Sequence, residues 1–254
     1  MGRKVSTING MEAVILAGGR GTRLRKAIPG LPKSLAPIGG HPFLSYLLGW
    51  LRGQGVTDII LAVGHRREDI ARHYARHKPP GMRLRHSAET IPLGTGGALR
   101  NLRSMLSGEE FFVLNGDSIF DVDLRQMLSF HRRHRSAATL ALASPPEAGR
   151  YGSVRLDKRG RIKAFVEKQA AEPPNEGGRL KLPQWVSGGL YIMNKEVFRH
   201  IPGQREVSLE KEVFLRLIGG PFYGFPSKGY FIDIGVPEDY RRAKAELVER
   251  FTAC

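Results

Sequence analysis

The chain has 254 residues, 41% hydrophobic and 25% charged, a balance that suits one folded unit and excludes disordered and fibrous classes. Its 40 Lys+Arg against 24 Asp+Glu give a formal charge of +16, a field that concentrates nucleotides, sugar phosphates, nucleic acid or anionic headgroups without choosing among them. A single cysteine, Cys254, excludes an internal disulfide and a cysteine metal cluster, and no apolar run reaches the roughly 20 residues that cross a bilayer; a cytoplasmic protein without membrane insertion is expected.

Residues 1–10, MGRKVSTING, are polar, lack the apolar centre of a signal peptide, and read as a flexible leader. Glu12 to Ala17 is an apolar run short enough for a buried strand, and a glycine-rich loop follows it directly. Phe43 to Arg52 carries Leu44, Leu47, Leu48 and Leu51 at helical spacing and is broken by Gly53 and Gly55. Asp58 to Val63 predicts the next strand and Glu68 to His77 a polar helix with Ile70 and Tyr74 inward. Met82 to His86 is a weaker strand, Gly96 to Leu106 a helix, and Phe111 to Leu114 a buried strand ending at Asn115-Gly116-Asp117. Strands alternating with helices predict a mainly parallel sheet covered on both faces, with ligands at the carboxyl ends of its strands.

Beyond a helix at Leu124 to His134 the character becomes antiparallel. Ala137 to Ala143, Gly152 to Leu156 and Arg161 to Val166 read as strands, the last two joined by the turn Asp157-Lys158-Arg159-Gly160. Ala170 to Leu182, rich in Pro, Gly and Glu, reads as a surface excursion or lid. Trp185 to Met193 predicts a strand, Glu206 to Leu217 a helix, Pro221 to Ile234 one or two strands, and Pro237 opens a closing helix to Arg250. The expected organisation is a leader, 1–10, and one domain, 11–251, made of two halves that meet at about residue 135. Nothing in the sequence specifies an oligomeric state, and a homodimer is compatible with it.

The loop after the first strand, Gly18-Gly19-Arg20-Gly21-Thr22-Arg23, fits neither standard phosphate template: the dinucleotide fingerprint lacks its third glycine and the Walker pattern lacks G-K-[ST]. What it offers is backbone N–H groups free to approach phosphate oxygens, with Arg23 and Lys33 as mobile cations. The longer run Leu16-Ala17-Gly18-Gly19-Arg20-Gly21-Thr22-Arg23-Leu24, followed by Leu31-Pro32-Lys33-Ser34-Leu35, resembles the signature of sugar-1-phosphate nucleotidylyltransferases. Pro92-Leu93-Gly94-Thr95-Gly96-Gly97-Ala98-Leu99 is similar to that family's second nucleotide loop, and Asn115-Gly116-Asp117 to its metal aspartate. Arg150-Tyr151-Gly152, Glu167-Lys168 and Ser187-Gly188-Gly189-Leu190-Tyr191 resemble its sugar-phosphate half, and Phe231-Ile232-Asp233-Ile234-Gly235 its second aspartate. Within the family the pattern is most similar to heptose 1-phosphate guanylyltransferases, with mannose-1-phosphate guanylyltransferases and N-acetylmuramate 1-phosphate uridylyltransferases as near alternatives.

The resemblance implies a Rossmann-like three-layer α/β fold of the glycosyltransferase-A kind, with a mixed, mainly parallel sheet and a small antiparallel sugar-binding part. It implies in-line attack of a sugar 1-phosphate on a nucleoside triphosphate, GTP favoured, releasing pyrophosphate, with no protein nucleophile. Asp117 and Asp233 would hold one Mg²⁺, Arg23 would neutralise the pyrophosphate and Lys33 the α-phosphate. Leu16, Ala17, Gly18, Gly19, Gly21, Thr22, Glu89 and Gly94 would line the nucleotide, Glu89 accepting from the guanine edge. Asn115, Gly152, Glu167, Lys168 and Gly188 would hold the sugar phosphate, so that the half at about 11–135 would bind the nucleotide and the half at about 136–251 the sugar phosphate. Taken singly, Asn115-Gly116-Asp117 reads first as a common turn with Asp117 as its capping residue, Asp233 as a cap for the last helix and Glu167-Lys168 as a solvated strand end; the co-occurrence of these motifs in family order is what favours the site. A basic nucleic-acid-binding protein is the rival of another class, suggested by +16 and by His131-Arg132-Arg133-His134-Arg135, but no stacking-aromatic pattern or binding module supports it.

Overall fold

The computed structural model describes residues 8, 10–19, 24, 28–64, 66–145, 153–166, 185–203 and 205–254. In chain order these form β1 (Glu12–Leu16), β2 (Pro37–Ile38), β3 (His41–Pro42), α1 (Phe43–Gly53), β4 (Asp58–Val63), α2 (Arg67–Arg76), β5 (Arg83–Ala88), α3 (Gly94–Asn101), β6 (Glu110–Asn115), β7 (Ser118–Phe120) and α4 (Leu124–Arg133). There follow β8 (Ala138–Ala143), β9 (Ser153–Leu156), β10 (Ile162–Val166), β11 (Trp185–Asn194), a π-helical turn (Leu209–Val213) running into α5 (Phe214–Leu217), β12 (Phe222–Pro226), β13 (Phe231–Asp233) and α6 (Pro237–Arg250). The excursion expected at 170–182 lies outside the described residues.

One nine-stranded sheet runs β10-β9-β11-β6-β1-β4-β5, with β8 on β11 and β12 on β8. The pairs β1–β4, β1–β6 and β4–β5 are parallel, while β11 is antiparallel to β6, β8 and β9. The antiparallel strands therefore continue the parallel sheet, and β12 joins β8 in parallel. Both faces are covered, and successive strand residues divide between two cores. Ala13, Ile15, Ile59, Leu61, Phe112 and Leu114 enter one, and Val14, Ile60, Ala62, Phe111 and Val113 the other. That period of two explains why the central strands read as uninterrupted apolar runs.

The helices form for local reasons that the sequence displays. In α1, Phe43, Leu44, Leu47, Leu48 and Leu51 are wholly buried, and α4 starts where Asp123 accepts from the backbone N–H of Arg125 and Gln126. Pro237 opens α6 with Glu238 and Asp239 in the first turn, where acids suit the helix dipole. Two expected helices differ. The one predicted at Gly96 to Leu106 starts earlier, at Gly94, and breaks into a 3-10 turn, Arg103–Met105; Gly94 takes φ +68°, a conformation open to glycine that lets its N-terminus seat on the Val207 backbone. The segment predicted as helix from Glu206 to Leu217 becomes helical only at Leu209, as a π turn, because Val207 N donates to Leu93 O and Leu209 N to Thr95 Oγ1. Those bonds belong to another loop, so local periodicity cannot report them.

Candidate active site

The carboxyl ends of β1, β4 and β6 meet at one place. Ala17 N extends the β1–β4 pairing by donating to Ala62 O at 2.8 Å, and Gly116 N donates to Leu16 O at 2.9 Å. A Cβ on Gly116 would lie 2.9 Å from that same carbonyl, so glycine is what allows the Asn115-Gly116-Asp117 turn to pass the end of β1. Gly18 sits against Gly64 and the Glu89 carboxylate, with 3.3 Å to each from a built Cβ, while Gly19 has open space around it. Leu16 to Gly19 thus crosses the top of the sheet as close-packed backbone and emerges into solvent.

Asp117, Asp233 and Lys33 converge here from sites far apart in the chain. β13 pairs antiparallel with β7, placing Asp233 opposite Ser118, and Ile234 N donates to Asp117 O at 2.9 Å. Lys33, in a 3-10 turn, donates from Nζ to Asp117 Oδ2 at 3.0 Å, with both side chains largely shielded. Burial first, and the negative charge of Asp117 next, push the Asp233 carboxyl up to about 7, against the pull of the Gly235 N–H and of Lys33. Asp233 accepts that N–H at 2.6 Å, yet the residue preceding α6 is Val236 and no side chain caps the helix; Asp233 is not its cap. Two carboxylates that repel each other, with one ammonium beside them, are a set of oxygen donors short of positive charge.

Beside Gly18, Glu89 follows β5 and accepts from Leu93 N at 3.2 Å, tying it to the Gly94 loop. Burial raises its carboxyl pKa, with Glu206 adding to the rise. A Cβ on Gly94 would meet Val207 O at 2.5 Å, so this glycine serves the docking of α3 whatever it does for a ligand. On the other side Asn115 abuts Gly189, which takes φ +69° where the β11 register slips against β8. Gly188 packs on Phe120, a Cβ there lying 2.3 Å from the ring. Its absent side chain admits the β7 strand that carries the Asp117 turn. Gly21, Thr22, Arg23, Gly152, Glu167 and Lys168 lie outside the described residues. No group of three or more His, Cys, Asp or Glu side chains suited to a metal occurs among the described residues, and no described helix is long and apolar enough to cross a membrane.

The site also contains groups that residue patterns alone did not single out. Tyr191 is wholly buried in β11 and donates its hydroxyl to Glu210 Oε1 at 3.2 Å. Arg67 Nη1 donates to the Glu89 carbonyl at 2.9 Å. Tyr191 belongs to the Ser187–Tyr191 motif, and Glu210 is one of three acids in the run Glu206 to Glu212; only the long-range fold reveals that they touch.

The chain matches the family model for nucleotidyl transferases over residues 12–250. It is similar to D-glycero-alpha-D-manno-heptose 1-phosphate guanylyltransferase of Aneurinibacillus thermoaerophilus, 39% identical over 93% of this chain and 98% of the relative. It also resembles mannose-1-phosphate guanylyltransferase of Mycobacterium tuberculosis, 34% identical over 94% of this chain and 65% of that protein. Among solved structures, HddC from Yersinia pseudotuberculosis complexed with GMP-PN superimposes with a TM-score of 0.79 at 32% identity, covering 92% of this chain and 98% of that one.

Proposed function

The chain belongs to the nucleotidyl transferase family, and from that premise we propose that it transfers the guanylyl group of GTP to D-glycero-D-manno-heptose 1-phosphate, giving GDP-heptose and pyrophosphate. The observation that carries this reading is the convergence of Lys33, Asp117 and Asp233 beside the glycine loop at the strand ends. The bacterial heptose 1-phosphate relative, matched along nearly its whole length, supports the acceptor. The product suits surface polysaccharide synthesis. The enzyme works in the cytoplasm, where a chain with one cysteine has no need of an oxidising environment.

The chemistry asks the chain to gather, orient and neutralise phosphates rather than to attack them. Gly18, Gly19 and Gly21 let the nucleotide approach the backbone, with Leu16, Ala17 and Thr22 alongside it. Glu89 and Gly94 face the base. Lys33 leaves Asp117 for the α-phosphate, Arg23 holds the departing pyrophosphate, and Lys168 holds the acceptor phosphate, with Glu167, Asn115, Gly152 and Gly188 around the sugar. The oxygen donors of Asp117 and Asp233, crowded and undercompensated, fit a hard divalent ion, and these residues would hold Mg²⁺, which supplies charge neutralisation to phosphate oxygens when bound.

A pyrophosphate-release screen crossing GTP, ATP, CTP and UTP with heptose, mannose and N-acetylmuramate 1-phosphates tests this reading. The highest kcat/KM is expected for GTP with the heptose. Preference for mannose 1-phosphate, the second reading favoured by the mycobacterial relative, changes the acceptor alone. Preference for UTP with N-acetylmuramate 1-phosphate overturns both base and sugar, and release with no pair refutes the reaction.

A further inference from the structure

A phenol joins three elements at the acceptor side of the site. Tyr191, on β11, donates its hydroxyl to Glu210 Oε1 at 3.2 Å and accepts from Ser187 Oγ at 3.3 Å. Burial first and the Glu210 charge next hold this phenol in its protonated form, so it remains a donor to the carboxylate. Its ring is fixed by edge contact with Phe214, centroids 5.2 Å apart. Glu210 is therefore aimed by a buried side chain.

Its backbone is fixed as firmly. Glu210 lies in the π turn Leu209–Val213, whose first N–H is bound by Thr95 Oγ1 at 2.8 Å and whose start is capped where Ser208 Oγ accepts from Lys211 N. A π turn spends an extra residue in the helix and re-aims the side chains it carries, a cost met most often at functional sites. Glu210 lies near enough to Asp117 to feel its charge. Burial raises its pKa, and the charge of Asp117 raises it further, although the residue keeps contact with solvent. Among the described residues Oε2 has no hydrogen-bond donor, so an acid held at one oxygen leaves the other open, next to the stretch of β11 that carries Ser187 and Tyr191.

We propose that Glu210, held by Tyr191, is an acceptor-specificity residue whose free carboxylate oxygen accepts a hydrogen bond from a sugar hydroxyl of the incoming sugar 1-phosphate. The inference rests on the guanylyl-transfer reading above and adds a residue to it. A carboxylate is the natural partner for a polyol, because it accepts from one hydroxyl or a neighbouring pair without competing for their oxygens. Tyr191 acts through Glu210 and is a positioning residue. Asp117 and Glu210 divide the work: Asp117 lies beside Lys33 and Asp233, and Glu210 is tied to β11 through Tyr191.

Steady-state kinetics of the wild type, Glu210→Gln, Glu210→Ala and Tyr191→Phe, varying the heptose or mannose 1-phosphate and GTP separately, test the assignment. E210Q keeps an oxygen for Tyr191 and the volume of the side chain, so its melting temperature stays at the wild-type value. Its KM for the sugar 1-phosphate rises about tenfold, the loss of one charged hydrogen bond, with KM for GTP unchanged. E210A shows the same split more strongly, and Y191F a weaker form of it. Mn²⁺ affinity in the presence of a GTP analogue, read by electron paramagnetic resonance, stays constant in E210Q. Unchanged acceptor KM in both Glu210 variants, with the wild type turning over, overturns this assignment alone. So does a fall in Mn²⁺ affinity, which makes Glu210 a metal ligand. A wild type that releases pyrophosphate with no acceptor overturns the guanylyl-transfer reading and this proposal with it.

Discussion

Among single residues, the Asp117–Asp233 pair carries the charge on which the proposed chemistry depends. Asp117→Asn removes a charge that Asp233 feels as repulsion, so the variant should melt no lower than the wild type while losing on the order of 10²-fold or more in kcat. Near-normal kcat at saturating Mg²⁺ would remove Asp117 from the site. The pH dependence has a defined sign. The Asp233 carboxyl sits at about 7 in the folded chain against an ordinary 3.8, so the unfolded chain gives up this proton first. Its contribution to stability is whole below about pH 4 and is lost as pH rises toward about 7. A divalent cation relieves the charged pair, and Mg²⁺ should therefore raise the melting temperature more near pH 8 than near pH 5; an equal effect at both would contradict the coupling. Gly188 offers a purely steric check. Gly188→Ala drives a methyl group to 2.3 Å from the Phe120 ring and should destabilise by about 1–3 kcal/mol. Combining it with Phe120→Leu should recover part of that loss, as thermal melts of the two singles and the double would show.

Among elements, the ends of the strands away from the site are clamped by charge. Glu12, 3% exposed, accepts from Arg85 Nη2 at 2.5 Å and from the Ser107 and Gly108 N–H groups at 2.7 and 2.9 Å, and Arg85 also reaches Asp58 at 2.8 Å. Burial works to raise the Glu12 carboxyl pKa, but these hydrogen bonds together outweigh it and hold the pKa low. Arg85→Met leaves Glu12 buried without its cation and should cost about 3–5 kcal/mol in urea melts with the active site unaltered; a loss below about 1 kcal/mol would show that the backbone donors suffice. The elements most legible in the sequence were those with their cause inside their own residues. β4 and α6 fall where Asp58 to Val63 and Pro237 to Arg250 predicted them, because an apolar run and a proline at the first turn are local signals. β2, β3 and β7 are two or three residues long, too short for any period to show. The start of α3 and the π turn depend on Val207 and Leu93, and on Thr95 and Leu209, meeting across the fold. The site was legible to the same degree: motif residues Lys33, Asp117 and Asp233 come together, whereas Glu210 acquires its meaning only through Tyr191.

For the whole molecule, the sheet supplies the geometry and the charge supplies the attraction. Parallel strands β1, β4, β5 and β6 deliver their carboxyl ends to one edge, and β11 joins β6 in the antiparallel sense so that Asn115 faces Ser187–Tyr191. The formal +16 raises the local concentration of two anionic substrates without choosing them. The same charge gives weak attraction to nucleic acid, and its affinity should fall steeply as salt rises, with GTP-dependent pyrophosphate release persisting where nucleic-acid binding is gone. In the proposed site two carboxylates more than a hundred residues apart in the chain, Asp117 and Asp233, form one cation site beside Lys33. Mn²⁺ binding by electron paramagnetic resonance, in the presence of a non-hydrolysable GTP analogue, measures it directly on the wild type, Asp117→Asn and Asp233→Asn. One tight ion per chain in the wild type, weakened at least about tenfold in each variant, is the result predicted; full wild-type affinity in both variants would contradict it.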